Sequence, residues 1–210
     1  MSEIRVADCA CVSNAVVYGL HESIRRAKFP MAVDPSALTD ELTKGILSLA
    51  LSGRGEGHDQ WLTGVIVQFD LTFTNKAWVE AERYHFFDFV SSQSTMHRIT
   101  QFDLDGAYCE YTDPRIVEIM KEKVAAYRAL CASKDSSEQE RREAYLQLLY
   151  SNPAGFRLCA GMTTNYRQLK TIYAQRREHR LPEWRAFCRW IETLPMSELI
   201  TGRKNTADDT

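Results

Sequence analysis

Little in this chain marks it for a membrane, a metal or a duplex. No apolar run approaches the ~18 residues of a membrane span, and the opening residues MSEIRVADCACVSN do not read as a secretory leader. The six cysteines (Cys9, Cys11, Cys109, Cys131, Cys159 and Cys188) lack the spacing of a disulfide framework, so a cytoplasmic setting with idle thiols is expected. Cys9-x-Cys11 has no second ligand pair, which argues against a metal site. The net charge of -2 and pI near 6.2 leave no general cationic excess for nucleic acid or a membrane surface. The glycine-rich stretch SGRGEGH, Ser52 to His58, lacks the Lys-Ser/Thr ending of a phosphate-binding loop, although backbone can approach a ligand closely there.

What is present is a basic segment, Thr163 to Arg180, TTNYRQLKTIYAQRREHR. Leu169, Ile172 and Tyr173 recur at helical spacing, with Thr163 or Thr164 as N-cap. Asn165 and Arg176 are eleven residues apart, about three turns, which places them on nearly the same side. A guanidinium and an amide so arranged suit a planar, charged ligand of nucleotide size. Between Asn165 and Arg189 seven Lys or Arg stand against Glu178 and Glu183, a local cationic surface fitted to an anionic small molecule.

The pattern along the chain is that of one domain over residues 1–201, with a tail over 202–210. Glu3 to Ala10 reads as a strand and Ser13 to Lys28 as a helix burying Val16, Val17, Leu20 and Ile24. After Pro30 and Pro35, Thr39 opens a second helix with Leu42, Ile46, Leu47 and Leu49 on its apolar face. Gly64 to Thr74 alternates cleanly as a half-covered strand, Lys76 to Arg83 is a short helix or turn, and His85 to Val90 is an aromatic strand. Helices follow at Pro114 to Ala132 and Ser136 to Tyr150, the second with a Ser137/Glu140 capping box. Asn152 to Cys159 returns as an irregular strand, and Pro182 starts a last helix with Trp184, Phe187, Trp190 and Ile191 inward. The fold class is α/β (α+β), a mainly antiparallel sheet flanked by helices.

Three blocks of this sequence resemble the flavin-dependent (alternative) thymidylate synthases. GHDQWLTGVIVQFDL, Gly57 to Leu71, is similar to the family's Gly-His opening and long strand. RYHFFDFVSSQS, Arg83 to Ser94, stands in the place of the signature Arg-His-Arg, seven residues, Ser. From Pro153 to Arg176 the family's intervals hold: Asn165 lies twelve residues past the proline, and Arg176 nine past Arg167. The signature departs from the family, in one of two registers. If His85 is the family's histidine, Tyr84 and Phe86 replace both flanking arginines; if Arg83 is the first arginine, His85 replaces the second and one residue is inserted before Ser94.

The resemblance implies a homotetramer with active sites between subunits. It implies transfer of a one-carbon unit from methylenetetrahydrofolate to C5 of dUMP or a related pyrimidine deoxynucleotide, with FAD as hydride carrier and NADPH as reductant. By carry-over His85, Asn165 and Arg167 hold the flavin. Arg83, Ser94, Arg176 and Arg177 meet the nucleotide, with Arg176 stabilising the anionic pyrimidine edge, and His58 and Gln60 lie where the family's loop meets cofactor. Phe86, Phe87 and Phe89 are expected in the core, although any one of them left exposed could stack on a flat heterocycle. A second reading keeps the fold and a nucleotide pocket but not the flavin or the catalysis.

Overall fold

Strand β1 (Glu3–Arg5) pairs antiparallel with β2 (Val12–Tyr18), which pairs antiparallel in turn with β3 (Ile66–Thr74). The structure, a computed structural model, describes residues 2–53 and 55–203. Helix α1 (Leu20–Ala27) follows β2 through Gly19, whose φ of 72° is a left-handed turn that only glycine adopts cheaply. The expected single helix over Ser13 to Lys28 is therefore a strand and a helix in series. Val12, Val16 and Val17 favour the pleated sheet, and concatenating a strand with a helix imitates one long helical stripe.

The second helix, α2 (Lys44–Ala50), starts five residues later than expected, capped by Thr43, whose hydroxyl accepts from the Ile46 amide. Thr39 and Asp40 are held in a loop instead: Lys28 Nζ donates to the Thr39 carbonyl, and His21 meets the Asp40 carboxylate at 3.0 Å. Further on are α3 (Asn75–Ala81), β4 (Phe87–Ser92), α4 (Thr95–Arg98), α5 (Pro114–Ala132) and α6 (Glu138–Ser151). The chain closes with β5 (Arg157–Asn165), α7 (Tyr166–Arg176), α8 (Pro182–Ile191) and α9 (Glu198–Thr201). The sheet order is β1-β2-β3-β5-β4, and the class is the mixed α and β expected from the sequence.

Two expectations around the basic helix are corrected. The strand before it begins at Arg157, not Asn152, and runs through Thr163 and Thr164, because Ala160, Met162 and Thr164 alternate into the interior with a period of two. The N-cap is accordingly Asn165, whose Oδ1 accepts from the Gln168 amide at 2.9 Å. The helix opened by Pro182 buries Trp184, Phe187, Trp190 and Ile191 as read, but α9 follows it. Of the expected tail, residues 204–210 lie outside the described residues.

The chain divides into two compact units. Residues 2–71, 81–91 and 160–203 form the first. Its interior is an aromatic cluster in which Phe69 packs on Phe187 and Trp190, with centroids 5.7 and 5.1 Å away, while Phe187 stacks on Trp190 at 5.3 Å. Residues 72–80 and 92–159 form the second. There Phe156, fully buried, receives the edges of Phe102 and Tyr108 among Ile99, Met120, Val124 and Leu148. Its α6 begins with the Ser137/Glu140 capping box, both reciprocal hydrogen bonds being formed.

Candidate functional site

A cavity of about 580 Å³ lies in the first unit. That volume is in the range of small-molecule and cofactor sites, about 300–1,000 Å³. Three chain segments wall it: the loop residues Ser52, Gly53, Gly55, Asp59 and Thr63; His85 and Phe86 ahead of β4; and one side of α7. Because side chains three and four apart share a helix face, Arg167, Lys170, Thr171 and Ala174 come to this wall together, with Asn165 at its start.

Asp59 fastens the loop to the helix. Its two carboxylate oxygens are divided between Arg167 Nε and Lys170 Nζ, each at 2.9 Å. Lys170 spends its other donors on the carbonyls of Ala50 (2.6 Å) and Ser52 (2.8 Å), so one ammonium clamps the end of α2, the loop and Asp59. Burial on its own would raise the Asp59 carboxyl, but the hydrogen bonds and charges of Lys170 and Arg167 outweigh it and hold the group below the usual carboxylate range. Among the described residues Arg167 is held through Nε, by Asp59. Its side chain is more than a third exposed, and a guanidinium anchored in this way presents its terminal N–H groups to an anion.

Phe86 has unusual local geometry. Its φ is +58° and its ring is 66% exposed, whereas its neighbour Phe87 is buried. A left-handed conformation costs a non-glycine residue about 1–2 kcal/mol, so something must impose it. The buried Thr164 hydroxyl does so, donating to the Phe86 carbonyl at 2.6 Å. Because Phe86 turns the chain there, β4 begins at Phe87, two residues after its expected start.

Of the residues singled out from the sequence, the cavity gathers His85, Asn165 and Arg167. Arg176 ends α7 but is not part of this wall. Its Nε donates to the Tyr84 hydroxyl at 2.7 Å and one Nη lies 2.6 Å from His179 Nε2, while the guanidinium sits 5.5 Å from the Tyr84 ring and 4.9 Å from the Trp184 ring. Tyr84 in turn donates to Gln175 Oε1, a cavity residue, at 3.0 Å. Asn165 and Arg176 part company because Asn165, as N-cap, has extended backbone and stands outside the helical phase that would align them. Arg83 and Arg177 are exposed and line no part of the cavity; Arg177 lies 3.7 Å from the Glu178 carboxylate. Ser94 belongs to the second unit, at the N-cap position of α4. Among His58 and Gln60, neither is a wall residue of this cavity.

Asp59, Thr63, Lys170 and Thr171 line the cavity but were not among the site residues expected from the sequence. Helical phase from Arg167 would have given Lys170 and Thr171; nothing local points to Asp59, whose partners are more than a hundred residues away. Ser52 bears on the fit of a phosphorylated, planar cofactor. Its hydroxyl, at the cavity, is buried without a hydrogen-bond partner among the described residues. A buried orphan of this kind is uncommon, and at the cavity it is open to a polar ligand atom. With Arg167 for an anionic group and Asn165 and Gln168 for polar edges, the wall fits a nucleotide-type cofactor.

The fold is that of the flavin-dependent thymidylate synthases. The crystal structure of ThyX from Helicobacter pylori in complex with FAD and dUMP superposes with a TM-score of 0.63 at 14% identity, over 95% of this chain and 96% of that one. A second structure of the same enzyme, with FAD and dUMP at 2.31 Å, gives 0.61 at 14% identity and the same coverage. No protein-family model and no curated protein matches the sequence.

Proposed function

We propose that this protein is a flavin-dependent thymidylate synthase-type enzyme, whose cavity takes FAD and whose substrate is dUMP or a related pyrimidine deoxynucleotide. The observation that carries this reading is the meeting of His85, Asn165 and Arg167 on one cavity wall, from two distant stretches of sequence. Arg167, oriented by Asp59, binds the cofactor's phosphate charge, and Asn165 and His85 hydrogen-bond its polar edges. FAD when bound supplies hydride carriage to a one-carbon unit taken from methylenetetrahydrofolate, with NADPH as the reductant.

For Arg176 the proposed role is at the pyrimidine. Methylation at C5 requires negative charge to build on the O2, N3 and O4 edge, and a fixed guanidinium stabilises that charge in a site closed to water. Its fixation by Tyr84 and His179, between two aromatic rings, is the preorganisation such a role needs. Arg83, Ser94 and Arg177 are proposed as further nucleotide contacts. The assembly proposed with this reading is a homotetramer with sites between subunits, in a cytoplasmic setting.

A non-catalytic nucleotide-binding protein of the same fold is the second reading. It is favoured by the place of Arg176 outside the cavity wall and by the departure of Arg83 to Ser94 from the family's signature in either register. Flavin absorbance of the purified protein, with and without added FAD, separates the two, and calorimetry with dUMP tests the role of Arg176. Arg176→Ala is expected to weaken dUMP binding more than tenfold, a loss of over about 1.4 kcal/mol. Unchanged affinity in the variant removes Arg176 from the nucleotide site.

A further inference from the structure

The exposed ring at position 86 is a poor choice for a loop whose only task is to turn the chain. A left-handed residue is served by glycine at no steric cost, and an exposed ring on a soluble surface gains nothing from water. Yet Phe86 combines a φ of +58° with two-thirds exposure at the edge of the α7 cavity. Its conformation is locked from behind, since Thr164, itself buried, grips its carbonyl. Thr164 directly precedes Asn165, so one rigid stretch of β5 fixes both the ring and the first polar residue of the wall. Strained, over-determined residues of this kind concentrate where a ligand is held.

The remaining lining sets the chemistry. The helix side contributes Arg167, Gln168, Thr171 and Gln175, all polar, and the loop contributes the orphaned Ser52 hydroxyl. Phe86 is the one Phe, Tyr or Trp among the lining residues described, and its ring is the broadest apolar face there on which a flat ring can stack. We propose that Phe86 is a stacking platform for the planar heteroaromatic ring of the cavity's ligand, so that ring stacking at this position decides which ligands the cavity accepts. The proposal rests on reading the cavity as a flavin or nucleotide site. It makes Phe86 a specificity residue: ligands with an extended neutral ring gain, and a sugar phosphate without a base gains nothing. Base–aromatic contacts of this type are worth one to two orders of magnitude in affinity.

The test compares the full-length protein with Phe86→Gly, Phe86→Leu and Phe86→Trp against three probes: FAD, dUMP and 2-deoxyribose 5-phosphate. Phe86→Gly removes the ring and relaxes the backbone, so its Tm is expected to be unchanged or raised, and any loss of binding is not misfolding. Expected is a loss of tenfold or more in affinity for the ring-bearing probe with Gly and with Leu, retention with Trp, and quenching of the F86W fluorescence as that probe saturates. Whichever of FAD and dUMP shows this pattern is the one whose ring lies on Phe86. Affinity for 2-deoxyribose 5-phosphate should be the same in all four proteins. Wild-type affinity in Phe86→Leu overturns the platform while leaving the proposed function standing. Variants that change only the sedimentation of the protein, with ligand binding intact, assign the ring to a contact between copies and likewise overturn it. If the wild type binds neither FAD nor dUMP, both the platform and the proposed function fall.

Discussion

Replacing Lys170 by methionine tests the clamp that forms the cavity. Methionine keeps most of the apolar stem and removes the ammonium, and with it three hydrogen bonds, to Asp59 and to the carbonyls of Ala50 and Ser52. A hydrogen bond to a charged group contributes about 1.5–3 kcal/mol where it is buried. Here the sum is smaller than three such terms. The Lys170 side chain is 20% exposed, Asp59 keeps Arg167, and carbonyls that face a cavity can turn to water. Removing the lysine also relieves its own desolvation. A net loss of about 2–3 kcal/mol remains, which for a chain of this length lowers Tm by roughly 4–12 °C. Arg167→Met serves as the internal comparison: its side chain is 37% exposed, and an ion pair so placed contributes no more than about 1 kcal/mol. Calorimetric melting of both variants gives the difference, and amide hydrogen exchange locates it, with protection expected to fall at residues 50–53 and 55–59 first. Equal, small effects from the two substitutions, or exchange unchanged around residue 59, would refute the clamp.

Acid should open the same loop. The folded Asp59 carboxyl is held below its unfolded value of about 3.9, so its contribution is fully present above that pH and is lost as pH falls through the folded value. Loop amides are expected to keep constant protection from neutrality down to about pH 5 and to lose it below about pH 4; loss already near neutrality would contradict this. In the second unit, Phe156→Ala empties a fully buried site flanked by Phe102 and Tyr108 and should cost about 3–5 kcal/mol in urea unfolding. A cost below about 1 kcal/mol would mean that this core collapses freely around the gap.

Where a single segment carries its own signal, the sequence was a sufficient guide. The alternation of Val65, Val67, Phe69, Leu71 and Phe73 and the capping box at Ser137 are local physics, and both stand in the structure. So does the helix from Pro182, whose tryptophans at helical spacing are buried as read. Failures came where two elements abut. Val16, Val17, Leu20 and Ile24 share a helical stripe on paper, and only the left-handed Gly19 divides them into strand and helix. Thr163 and Thr164 look like caps until the period-two burial through them is seen, and the shift of the cap to Asn165 separates that residue from Arg176.

Site legibility follows the same rule. Asn165 and Arg167 were found through intervals that resemble a family, and the structure sets them, with His85, around one cavity. The aromatic stretch at residues 86, 87 and 89 offered a stacking ring without saying which one, because exposure is decided by the turn at Phe86 and its grip by Thr164. Asp59 and Lys170 are brought together from 111 residues apart, a separation over which no periodicity reports.

The most direct measurement is a titration of the purified protein with FAD, followed by visible absorbance and flavin fluorescence, beside the Arg167→Ala variant. Saturable binding near one flavin per chain, with a shifted absorption band and affinity reduced tenfold or more in the variant, is the expected result. A flavin spectrum unaltered by the protein, or equal binding by wild type and variant, would contradict a cofactor cavity built on Asn165 and Arg167.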